Sequence, residues 1–139
     1  MKLTEFLKQI VEKEASDGFA AVGALPIFKV DGELLGYGDK VLGPDDVSSL
    51  IQDSMSQQQF EDYTLNHDAN YAIEHPELGR FRASAYVQRE QPALVLRRIH
   101  HEIPTFEQLG LPSQLKEVSL LKQGLVIIVG ATGAGKSST

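Results

Sequence analysis

The chain has 139 residues, room for one domain or for one domain and part of another, and its 42% hydrophobic and 23% charged content is that of an ordinary soluble globular protein. A net charge of −6 disfavours a general nucleic-acid role, which would call for a basic surface. The lack of cysteine excludes a disulfide scaffold and a thiolate metal site, no apolar run nears the ~18 residues that span a bilayer, and Met1-Lys2-Leu3-Thr4-Glu5 lacks the apolar core of a signal peptide, so a cytoplasmic protein is expected.

Leu3, Phe6, Leu7, Ile10 and Val11 recur at i, i+3, i+4, i+7 and i+8, which predicts a helix over about residues 3–14 with one apolar stripe. Ser16-Asp17-Gly18 reads as its stop, and residues 19–23 as a short strand. Ile27-Phe28-Lys29-Val30 and Glu33-Leu34-Leu35 flank Asp31-Gly32, a pair suited to the positive φ values of a type I′ turn, so a hairpin is predicted. Gly43-Pro44-Asp45-Asp46 opens a second helix: the proline presets φ, and the aspartates suit the positive helix start. Val47, Leu50, Ile51 and Met55 mark its buried stripe. Residues 57–63 predict a third helix with Phe60 inward.

Residues 70–74 read as a strand and Pro76-Glu77-Leu78-Gly79 as a turn. Residues 80–88 alternate, with Phe81, Ala83, Ala85 and Val87 on one face and Arg80, Arg82, Ser84 and Tyr86 on the other, the pattern of a half-buried antiparallel strand. Its expected partner, residues 93–99, is joined across Glu90-Gln91-Pro92. Residues 100–110 read as a linker punctuated by Pro104 and Gly110, and Leu115 and Val118 suit a short helix. The sequence therefore predicts an α+β domain over 1–99, a linker over 100–110, and at 111–139 the opening of a nucleotide-binding domain.

Gly130-Ala131-Thr132-Gly133-Ala134-Gly135-Lys136-Ser137 fits G-x-x-x-x-G-K-[ST], the phosphate-binding loop of P-loop NTPases. The motif needs a buried strand before it and a helix after it. Leu125-Val126-Ile127-Ile128-Val129, bounded by Gly124 and Gly130, reads as that strand, buried on both faces. The glycines let backbone N–H groups approach phosphate oxygens, and with the start of the following helix they form an anion nest. Lys136 is assigned to the β- and γ-phosphates of ATP, the Ser137 hydroxyl to Mg²⁺, and Ser138 to the first turn of the leaving helix. A chance glycine-rich turn is the alternative, and the strand before it argues against that.

Several segments carry a resemblance to a known family: Ala15-Ser16-Asp17, residues 27–32, Gly79-Arg80-Phe81-Arg82-Ala83-Ser84-Ala85, Leu96-Arg97-Arg98-Ile99, Ile103-Pro104-Thr105-Phe106-Glu107-Gln108-Leu109 and residues 124–137. On these the chain resembles the type IV pilus retraction ATPases of the PilT/PilU family, within the secretion-ATPase superfamily. Arg97-Arg98-Ile99 and Gly130-Ala131-Thr132-Gly133 look more like PilU. The resemblance implies a PAS-like amino-terminal domain, a linker and a RecA-like ATPase domain, assembled as a homo-hexamer that hydrolyses ATP and powers pilus retraction and twitching motility. It implies as partners an inner-membrane pilus platform protein and a paralogous retraction ATPase, at most a peripheral association with the inner face of the cytoplasmic membrane, and no nucleic acid. The alternatives are a pilus-extension or type II secretion ATPase of the same superfamily, and a regulatory or subunit-contact module without turnover.

In this family arginines of the amino-terminal domain approach the nucleotide phosphates, and Arg82 and Arg97 match them by position. By the residues alone, Arg80, Arg82, Arg97 and Arg98 read as a solvated sheet face or as partners of the nineteen acidic residues. The chain departs from the family at Gly18, where leucine is usual and whose absence predicts looser packing beside the first helix, at Leu25-Pro26, and at Ser138. His100-His101 lacks a third ligand at metal spacing and reads as a linker surface pair. Asp45-Asp46 and Glu61-Asp62 read as helix-start charge and a solvated helix face rather than acid–base pairs.

The family's Walker B segment, catalytic glutamate and histidine box are expected beyond Thr139, so no catalytic residue is assigned within these residues. Phosphoryl transfer rests on positioning and charge stabilisation, and here half the positioning groups are missing. These 139 residues on their own are expected to show no appreciable ATP turnover. Phosphate release by the purified chain that vanished in Lys136→Ala would overturn that expectation.

Overall fold

The computed structural model describes residues 1–99 and 105–131. The chain divides into two compact units, residues 1–101 and 102–139.

The first unit opens with helix α1, Leu3–Glu12, whose buried stripe is Phe6, Leu7 and Ile10. Glu14, at φ 52°, turns the chain out of the helix. Strand β1 follows at Asp17–Ala21, two residues earlier than the sequence suggests, so Asp17 and Gly18 are strand residues rather than a helix stop. The predicted hairpin is present as β2, Ile27–Val30, and β3, Glu33–Gly36, with Asp31 at φ 50° and Gly32 at φ 87° between them.

Helix α2, Pro44–Ser54, starts as predicted, with the Asp46 side chain accepting from the Gly43 N–H at 3.0 Å. The neighbouring Lys40 amine and that N–H hold the Asp46 carboxyl below its ordinary pKa. Helix α3, Gln57–Asn66, is a turn longer than expected and ends at His67 in the left-handed region. Tyr63 rather than Phe60 is its buried residue, and Phe60 packs at the margin, the two rings 6.3 Å apart.

Strands β4, Asp68–His75, β5, Gly79–Gln88, and β6, Gln91–Ile99, complete an antiparallel sheet ordered β3-β2-β1-β6-β5-β4. The β5–β6 connection is shorter than expected. Arg89 at φ 51° and Glu90 at φ 63° form a two-residue turn, and Gln91 and Pro92 already pair with Gln88 and Val87. Pro92 is tolerated in β6 because pairing with β1 ends at Ala93, so its missing N–H breaks no bond on that side.

The helices cover one face of the sheet. Phe28, Phe81, Ala83, Ala85, Leu94 and Leu96 meet Phe6, Leu7, Ile10, Val47, Leu50 and Ile51 in one core, with the Phe6 and Phe28 rings 5.2 Å apart. At the margin Ser54 gives its single proton to the Ile51 carbonyl at 2.7 Å, so the Tyr71 hydroxyl donates to Ser54 Oγ at 2.6 Å. Burial pushes Tyr71 up to about 12.

The expectation of loose packing at Gly18 is overturned. Gly18 is buried, and a Cβ built on it would lie 2.7 Å from Ile10 Cδ1 and 3.2 Å from Phe6 Cζ. Helix α1 has come down onto the strand and filled the space a side chain would take.

In the second unit, residues 106–110 form turns and α4 spans Gln114–Ser119, where a short helix is predicted. The expected doubly buried strand at residues 125–129 is absent. The segment carries no strand pairing, and its side chains range from 46% exposed at Ile128 to 84% at Leu125. A β-strand is held by its neighbours, and no described segment pairs with this one.

Gly18→Ala should cost about 1–3 kcal/mol, the usual penalty of overfilling a packed core. Ile10→Val removes the methyl nearest the added Cβ, so the double variant should lose less than the two single losses combined. Urea unfolding of the four proteins checks this; strict additivity would contradict the close approach.

Candidate functional site

Two regions bear on nucleotide chemistry. Of the phosphate-loop residues, Gly130 and Ala131 are described and lie in irregular backbone. Thr132, Gly133, Ala134, Gly135, Lys136, Ser137 and Ser138 lie outside the described residues, as does the His100-His101 pair.

The second region is the sheet face opposite the helices. Strand alternation sends Gly18 and Leu96 into the core and Asp17 and Arg97 to this open face. Cross-strand pairing then lines up one charged row: Lys29 on β2 opposite Asp17 on β1, Asp17 opposite Arg97 on β6, and Arg97 opposite Arg82 on β5. The expected polar face of β5 is thus present, and it brings the two predicted arginines together as direct neighbours.

Their partners differ. Arg97 Nε donates to Asp17 Oδ1 at 2.7 Å, and Ser16 Oγ donates to Asp17 Oδ2 at 2.8 Å. Asp17 is only 4% exposed while the Arg97 side chain is 70% exposed, so the carboxylate lies beneath the arginine. Among the described residues Arg82 has no ion pair, and Arg80 is tied to Glu74 at 2.8 Å. A cleft of about 260 Å³ opens between the arginines, lined by Asp17, Asn70, Arg82, Ser84, Val95 and Arg97. Two guanidinium groups, a hydroxyl and a side-chain amide supply it with donors, an arrangement fit to hold an oxyanion.

Asp17 feels opposing influences. Burial raises its pKa, and the hydrogen bonds from Arg97 and Ser16 with the charges of Arg97 and Lys29 outweigh it, so the net shift is downward. Sequence reasoning missed Asp17 as a site residue, because its partner is 80 positions away and nothing local marks the pairing. The available signal was its place in the Ala15-Ser16-Asp17 segment that carried the resemblance.

Two histidines of the first unit serve local structure: His75 Nδ1 accepts from the N–H groups of Glu77 and Leu78, closing the turn before β5, and His67 caps α3. No group of three metal-ligating side chains occurs among the described residues. None of their helices is long and apolar enough to cross a membrane.

A carboxyl whose folded pKa is depressed adds stability above its unfolded value, and that stability is lost as pH falls through the folded value. Wild type should therefore lose stability steeply below about pH 3.8, and Asp17→Asn should flatten that limb while costing stability at neutral pH. Urea midpoints against pH for the two proteins check this; parallel curves would contradict it.

No family model matches the chain. It is 43% identical over all 139 residues to the type IV pilus ATPase PilU of Pseudomonas aeruginosa and 34% identical over the same span to the retraction ATPase PilT of that organism. It spans 36% of the length of PilU and 40% of that of PilT. The crystal structure of the pilus retraction motor PilT with bound ADP matches 99% of this chain at a TM-score of 0.80 and 33% identity, over 40% of the PilT chain. The six-stranded sheet and its helices are those of the amino-terminal part of that protein. Over all its residues, then, the chain is a homologue of the amino-terminal part of the PilT/PilU-type ATPases.

Proposed function

We propose that the whole protein is the ATP-hydrolysing subunit of a hexameric motor that drives type IV pilus retraction and twitching motility, nearer to PilU than to PilT. One observation carries this: similarity to PilU at 43% identity along all 139 residues of this chain, which also holds the complete phosphate-loop motif at 130–137. In this reading residues 1–99 are a PAS-like domain, 100–110 a linker and 111–139 the opening of a RecA-like ATPase domain.

Backbone amides of residues 130–135 would cradle the phosphates of ATP, Lys136 would pair with the β- and γ-oxygens, and Ser137 would ligate Mg²⁺. The residue types suit that group: three glycines for close backbone approach, one ammonium and one hydroxyl. Mg²⁺, when bound there, would supply charge neutralisation for the phosphate oxygens. Arg82 and Arg97 are assigned to nucleotide phosphates, supported by their pairing on an open face with donors beside them. Guanidinium suits the task because it stays charged and presents a planar fork to oxyanions. The protein would work in the cytoplasm, against an inner-membrane pilus platform and beside a paralogous ATPase.

The test is titration of the complete protein with labelled ATP and Mg²⁺. Lys136→Ala should lower affinity by tenfold or more, since a charge-assisted contact to phosphate is worth about 1.5–3 kcal/mol. Equal affinity in the two proteins would favour a subunit-contact module in which the loop takes no part.

A further inference from the structure

Arg82 and Arg97 face each other directly across β5 and β6 on the open face. Like charges so opposed repel, and two free guanidinium groups would spread apart into solvent. One of them is not free. Asp17 takes Arg97 by Nε, and each of its own oxygens is held, Oδ1 by Arg97 and Oδ2 by Ser16. Ser16 is fixed in turn: its N–H donates to the Lys29 carbonyl at 2.9 Å, and its carbonyl accepts from the Arg98 N–H at 3.0 Å. The grip is thus anchored in the backbone of three adjacent strands, on a carboxylate almost wholly removed from solvent.

We propose that Asp17 is the positioning residue of this face: it holds Arg97 by a single nitrogen, so that the rest of the guanidinium stands beside Arg82 as a preformed receptor for a phosphate oxyanion. A guanidinium has five N–H donors, and a grip at Nε leaves four. The rotamer freedom that a long side chain surrenders on binding is here surrendered on folding, which favours association. Asp17 also opposes binding, because its negative charge weakens the field at the cleft. Lys29, Arg97 and Arg82 leave the row net positive even so. Geometry and field therefore predict opposite signs for removal of Asp17, and an experiment can separate them.

The inference rests on the assignment of Arg97 to the nucleotide phosphates. It is tested in the complete protein with a fluorescent ATP analogue and Mg²⁺, comparing wild type, Asp17→Ala, Arg97→Ala and the double variant, with thermal unfolding of each. Asp17→Ala should weaken binding about tenfold, Arg97→Ala at least as much, and the double variant no more than Arg97→Ala. Should Asp17→Ala fail to fold, Asp17→Asn keeps the volume and a weaker neutral acceptor, and a loss of about threefold, absent beside Arg97→Ala, is expected. Wild-type affinity in Arg97→Ala would overturn the assignment of Arg97 and this inference with it. Impaired Arg97→Ala beside unchanged or tighter binding in the Asp17 variant would overturn the positioning role alone, as would additivity in the double variant.

Discussion

The register between β1 and β6 is the constraint on which both faces of the first unit depend. It joins residues 72 to 80 positions apart in a ladder of five pairs, with Asp17 opposite Arg97 and Gly18 opposite Leu96. The first pair faces the open side and the second faces α1. A slip of one residue would reverse both, driving an aspartate under Phe6 and Ile10 and lifting the glycine into solvent. The cost of an unpaired carboxylate in that core makes the alternative register inaccessible. The ion pair of buried Asp17 with exposed Arg97 thus specifies alignment, whatever it adds to net stability, since desolvation of the carboxylate offsets part of the attraction.

Gly18 turns this alignment into a packing requirement. With no side chain on that position, α1 approaches until Ile10 and Phe6 occupy the vacant volume. Lys13, the residue that caps the end of this helix, sets its amine 4.3 Å from the centroid of the Tyr37 ring, beyond the β2–β3 hairpin. Packing beneath β1 and charge above it are set by adjacent residues of one short strand. The open face therefore inherits its rigidity from the core on the other side of the sheet.

Local chemistry was legible wherever one segment determined its own shape. The Asp31-Gly32 turn, the proline and aspartates that start α2, and the alternation of β5 all follow from neighbouring residues and all stand in the structure. Features set by distant partners were not legible. Ser16-Asp17-Gly18 carries the residue types of a helix stop, and only pairing with β2 and β6 makes a strand of its last two residues. Arg89-Glu90 lacks the asparagine and glycine that mark a tight turn, so the sequence points to a turn one residue later than the real one; the ladder on either side imposes the turn on unfavourable residues. Residues 125–129 show the converse, an apolar run with strand composition that forms none where no described segment pairs with it.

The same division holds at the candidate site. Arg82 could be placed on a polar face from alternation alone, because period two is a local property. That Arg97 stands beside it, and that a carboxylate lies underneath, required the sheet order β1-β6-β5. A charged row of this kind has no sequence signature: its four members come from four strands, at positions 17, 29, 82 and 97, and in the sequence each taken singly reads as an ordinary surface charge. What separates Arg97 from Arg82 is then a matter of partners rather than residue type. One guanidinium is fixed from below while the other is left to solvent, and an anion entering the cleft would meet one donor already in place and one that must be ordered. The fixed arginine sets where an anion docks, and the free one sets how far the cleft can adapt to it.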